Sequence, residues 1–167
     1  MQIGKYSFGT GDRFAHQGEA QLKALIKASE TLGFEIVPVW NKSNREHIIV
    51  HSTPDDTRKE ADEAVKALGY KGSYFVDADH INLSNVDNFI NASDFFTLDV
   101  ADYIGKKAAQ ADIDAFVDAN MKYTGKLQIP GIVVPFGVPK ELLQTIAEKF
   151  LYAVQEAGKI YRHIEKA

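Results

Sequence analysis

The sharpest chemistry in the sequence lies at positions 77–80. An apolar run, Tyr74, Phe75 and Val76, leads straight into Asp77, Ala78, Asp79 and His80. Burying three ionisable groups without a purpose would be expensive. At the C-terminal end of a parallel strand the same groups face a pocket instead. Strand alternation puts Asp77 and Asp79 on one face, and His80 joins them if the chain turns there. An adjacent carboxylate and neutral imidazole supply one base and one ligand for a divalent metal at neutral pH. The competing reading is a capped strand end with its carboxylates in water. Asp94 to Asp99 repeats the layout, and there Asp99 and Asp102 either join the mouth or cap the next helix.

Two more clusters follow apolar segments. Gly9, Thr10 and Gly11 precede Asp12 and Arg13, but position 14 is Phe14, so the third glycine of a dinucleotide fingerprint is missing. Asn41, Lys42, Asn44 and Arg45 gather two amides and two cations. They suit an anionic, hydroxyl-rich ligand, with cations for a carboxylate and amides for hydroxyls. The candidate binding residues are therefore Asp12, Arg13, Asn41, Lys42, Arg45 and Asp77. His47 and His51 have the spacing of a helical metal pair. The residues between them are all β-branched, which predicts an extended segment, where positions four apart lie roughly 13 Å apart, too far for one ion. His16 and His163 read as surface histidines.

The elements that must position these groups alternate between two periodicities. Residues 3–9 predict a strand and 19–32 a helix closed by Gly33. Residues 34–40 predict a strand despite Pro38, and Thr53 with Pro54 opens a helix that Gly69 ends. A strand at 73–77, a short helix over 84–90, a strand at 94–98 and a helix within 108–123 follow. Residues 127–136 are apolar but carry two prolines, which predicts an edge segment or packed loop. A long amphipathic helix runs from Pro139 to the end. Such alternation predicts an α/β fold of parallel βαβ units. Four units are enough for a partial (β/α) TIM-like barrel and too few to close one. No linker or charge block divides residues 1–167, so one α/β unit is expected.

Composition narrows the class of function. Of the 167 residues, 19 are Lys or Arg and 23 are Asp or Glu, giving a net charge of −4. That argues against a general nucleic-acid binder. With no cysteine, disulfides, Cys-ligated zinc, iron–sulfur clusters and thiol nucleophiles are excluded. There is no signal-like start and no run long enough to span a membrane, so a cytoplasmic protein is expected.

Five stretches in order resemble the tagaturonate epimerase family: residues 4–14 (GKYSFGTGDRF), 38–45 (PVWNKSNR), 74–82 (YFVDADHIN), 93–100 (SDFFTLDV) and 156–163 (EAGKIYRH). The resemblance implies a metal-dependent enzyme on a barrel-like α/β fold that interconverts tagaturonate and fructuronate in hexuronate catabolism. It implies Asp79 as proton acceptor and His80 as a ligand to a divalent metal ion. Members of the family are much longer. The sequence is therefore expected to be the N-terminal half of a larger barrel enzyme, with the proton donor and other metal ligands beyond it and with little activity by itself. An incomplete barrel is also expected to pair with a second copy or with the missing half. The alternatives are a sugar-acid-binding module without turnover and a purely structural half-barrel.

Overall fold

In a computed structural model, residues 3–167 are described. The chain divides into two compact units, residues 1–99 with 163–167 and residues 100–162. The first unit is built on a four-stranded parallel sheet in the order β1 (Ser7–Gly11), β2 (Val37–Ser43), β3 (Phe75–Ile81), β4 (Phe95–Leu98). Neighbours in the sheet are neighbours in sequence, without the reversal that defines a doubly wound fold. The α/β class and the parallel sheet are as expected. The sheet stays open: among the described residues the outer edges of β1 and β4 carry no further strand, so these four strands do not form a closed barrel.

Parity sorts the two faces. Trp40 and Val76 pair in register and point toward α1 (Gly18–Leu32) and α3 (Pro54–Ala67). There they form a buried cluster with Leu22, Ala61 and Ala64. Val37, Val39 and Phe75 make a second buried cluster with the opposite parity. Each element ends for a local reason. Gly33 takes a left-handed conformation, φ 73°, and donates to the Ser29 carbonyl, a shape glycine adopts without a Cβ penalty. Thr53 and Asp56 form a reciprocal capping box at the start of α3, with Pro54 in its first turn.

Three expectations about elements are corrected. β2 begins and ends three residues later than the apolar run suggests, so Trp40 to Ser43 lie within the strand. Pro38 is tolerated in this central strand because Val37 donates on the β1 side and pairing with β3 begins only at Val39, so the proline nitrogen faces no ladder partner. Residues 44–50 are helical rather than extended: α2 (Asn44–Val50) follows directly on β2. The Ser43 hydroxyl accepts from the Glu46 N–H at 3.3 Å, and the Glu46 carboxylate accepts from the Ser43 N–H at 3.1 Å. This capping box offsets much of the helix penalty of Ile48, Ile49 and Val50, about 0.5 kcal/mol each. Ser43→Ala should lower stability by about 1 kcal/mol, read as a reduced urea midpoint with an unchanged slope. The third correction is that β3 continues through Ile81, which places Asp77, Asp79 and His80 inside the strand.

The second unit holds α4 (Gln110–Ala119), an antiparallel pair β5 (Gly125–Leu127) and β6 (Phe136–Val138), and α5 (Lys140–Ile164). Ile113, Val117, Val138, Leu143 and Ala147 form its core. The two prolines of the 127–136 segment fall in the connection between the two short strands, where no ladder hydrogen bond is lost. No helix among the described residues is long and apolar enough to cross a membrane.

Candidate functional site

A bulge in β3 builds the site. Asp77 and Ala78 pair with Phe95 and Phe96, but the next partner of β4 is Ile81, so the register shifts between Ala78 and Ile81. His80 takes the left-handed conformation, φ 54°, which is uncommon for a residue with a Cβ. The extra residue breaks the alternation and turns the imidazole to the C-terminal mouth of the sheet. There its Nε2 lies 3.8 Å from Asp79 Oδ2, and its Nδ1 lies 3.7 Å from Asp99 Oδ2. The His80 side chain is 63% exposed and that of Asp79 is 22% exposed. Together with Asp99, the ring borders a pocket of about 500 Å³ whose other walls are Ser43, Asn44, Arg45, Ile48, Ile49 and Asn85. Asp99 therefore stands at the mouth.

One strand position deeper, Asp77 is buried, and Thr97 Oγ1 donates to its two carboxylate oxygens at 2.9 and 3.1 Å. Burial pushes the Asp77 carboxyl up to about 6; the Thr97 hydrogen bond opposes this and the Asp79 charge adds to it. A carboxyl with that value exchanges protons near neutral pH. Asn41 is its register partner on β2.

The remaining candidates are placed unequally. Arg45 lines the pocket. Arg13 lies at the same end of the sheet, with its Nε 3.4 Å from Glu46 Oε1, so it braces the α2 capping box. Asp12 accepts from the backbone N–H groups of Phe14, His16 and Gln17 at 3.1, 2.7 and 2.5 Å. Burial would raise its pKa, but these three bonds hold it below the ordinary carboxylate range. Its work is to shape the turn into α1. Lys42 has the parity of Trp40, is 2% exposed, and donates to Ser52 Oγ at 2.9 Å. It does not line the pocket, and burial lowers its pKa against the pull of the Asp12 and Glu46 charges. His47 is buried with its Nδ1 2.9 Å from the same Ser52 oxygen, while exposed His51 ends α2. Sequence reasoning missed Ser43, Thr97 and Asn85. The S-x-x-E spacing at 43–46 was the available signal for the first. Thr97 could be found only once its strand was in register with β3.

A metal ion can be tested against these donors. One imidazole flanked by two carboxylates suits a divalent cation in kind. Among the described residues no three such groups converge on one point, whereas a stable site takes three or four ligands.

The family model for UxaE, tagaturonate epimerase, matches residues 1–130. No curated protein matches by sequence. Among solved structures, the native fructuronate-tagaturonate epimerase UxaE from Cohnella laeviribosi is similar, with a TM-score of 0.68 and 18% identity over 94% of this chain and 34% of that one. A form of the same enzyme with one glycerol has a TM-score of 0.67 at the same identity and coverage. At that identity the likeness is one of fold. The chain spans about a third of the length of these solved relatives.

Proposed function

Because the chain belongs to the tagaturonate epimerase family, we propose that it contributes the Asp79–His80 part of a site that interconverts tagaturonate and fructuronate. On this reading its four strands are part of a (β/α) barrel. The observation that carries the reading is the β3 bulge, where the Asp79 carboxylate stands 3.8 Å from the His80 imidazole and that imidazole shares a pocket with Arg45.

The two ketouronates differ at a carbon two bonds from the ketone carbon, so deprotonation beside the ketone does not invert it. Retro-aldol cleavage does. Asp79 takes the proton from the hydroxyl on that carbon, the bond to the neighbouring α-carbon breaks, and its electron pair becomes an enolate. The hydroxyl-bearing carbon becomes an aldehyde. The aldehyde turns its other face to the enolate, the bond re-forms, and Asp79 returns the proton. Arg45 holds the substrate carboxylate. His80 would hold a divalent ion with carboxylate help from Asp99. When bound, such an ion supplies Lewis acidity at the ketone oxygen.

The test is to feed tagaturonate to a full-length family member carrying these residues and follow fructuronate. Stripping the metal with a chelator should abolish turnover, and adding it back should restore turnover. His80→Ala should remove bound metal and activity together. Full activity in the chelated enzyme would overturn the metal part of the reading, and no interconversion by the intact enzyme would overturn the whole.

A further inference from the structure

On the pocket side of the sheet, a polar row crosses all four strands one level below the Asp79–His80 pair. Gly11 pairs with Asn41, Asn41 pairs with Asp77, and Thr97 on β4 is bonded to Asp77. Beneath the row the same face is apolar, with Val39 and Phe75 in register. The Asn41 amide lies over β1. A Cβ on Gly11 would sit 3.1 Å from Asn41 Oδ1, and one on Gly9 3.7 Å from its Nδ2. The two glycines thus leave the space that the amide occupies. Among the described residues no hydrogen-bond partner is found for that half-buried amide.

We propose that Asn41 and Thr97 read the hydroxyl groups of a polyhydroxy acid lying across this row, and that Asp77 and Gly11 are the positioning residues that aim them. The proposal rests on the ketouronate reading above and names what distinguishes such a substrate from a plain keto acid. Its logic is one of donors and acceptors. Both oxygens of the buried Asp77 face the Thr97 hydroxyl, so that hydroxyl's proton is committed to the carboxylate. Thr97 then presents only lone pairs, and these accept from a ligand O–H. Asn41 offers both a donor and an acceptor. Two hydroxyls carried on separate carbons of one polyhydroxy chain, each a donor and an acceptor, match the two ends of the row, whereas a methylene chain leaves the amide unpaired.

The test is an NMR titration of the full 167-residue chain with two probes. One is tagaturonate. The other is laevulinate, which has the ketone and the carboxylate but no hydroxyl. Asn41→Ala and Thr97→Val should each weaken tagaturonate about tenfold, the loss of one or two hydrogen bonds, and leave laevulinate unchanged. Thr97→Ser should keep the wild-type affinity. Gly11→Ala, whose Cβ would press on the amide at 3.1 Å, should weaken tagaturonate in the same direction but by less than Asn41→Ala. Amide dispersion in each spectrum verifies the fold, and the conservative variants carry the test if a harsher one unfolds. Folded variants that bind tagaturonate within twofold of wild type would remove the row from the site while leaving the ketouronate reading in place. A wild-type chain that binds neither probe at any soluble concentration would overturn the proposal, while the ketouronate reading stands or falls on interconversion by the intact enzyme.

Discussion

Asp79→Asn in a full-length family member should slow ketouronate interconversion by about 10²–10⁴-fold, the ordinary contribution of a positioned general base, while the bound metal stays in place. Asparagine keeps the size and hydrogen-bonding capacity of the side chain but takes no proton at neutral pH. The His80 ring keeps its Asp99 contact at 3.7 Å, so the imidazole should hold its direction. Metal content and kcat therefore separate the two neighbours: His80→Ala loses both, and Asp79→Asn loses only kcat. Near-normal turnover in Asp79→Asn would take Asp79 out of the mechanism.

Opposite pH dependences should appear when Asp77 and His47 are replaced. The Asp77 carboxyl is raised to about 6 in the fold, chiefly by burial. Between its unfolded value near 3.8 and that folded value the native state holds the extra proton, so stability falls as pH rises through this window. His47 is lowered from 6.5 to about 4, first by burial and then by the Lys42 charge. There the unfolded chain holds the extra proton, so stability falls as pH drops from 6.5 toward 4. Each effect amounts to about 2–3 kcal/mol between pH 4 and pH 7. In the wild type the two nearly cancel. In urea unfolding, Asp77→Asn should gain on wild type by that amount on going from pH 4 to pH 7, and His47→Asn should lose by that amount. Parallel profiles for either variant and the wild type would show that its side chain has the same pKa folded and unfolded.

The alternation of strand and helix, the parallel sheet and the acidic end of β3 were all legible in the sequence, because each rests on local periodicity or on the cost of burying charge. What stayed hidden depended on frame. Ending β2 at Trp40 made Lys42 a loop cation free to reach a ligand. Ending it at Ser43 gives Lys42 the parity of Trp40 and sends it among the helices, where Ser52 receives it. Residues 44–50 depart from expectation for a different reason. Propensity spoke for an extended chain, and two hydrogen bonds between Ser43 and Glu46 decided otherwise. The mouth position of Asp99 depends on pairing between β3 and β4, which no local pattern encodes.

The bulge gives β3 two reading frames joined end to end. Substitutions on either side of it change one side chain at a time. Removing a single residue between Ala78 and Ile81 would fuse the frames into one continuous ladder. The sheet would survive with Ile81 still opposite Leu98, and the single residue left opposite Thr97 would be either the carboxylate or the imidazole, never both. For this strand the length of the segment from Asp77 to Ile81 carries as much functional information as its spelling, and relatives that keep the chemistry should hold that count fixed even where the letters around it drift.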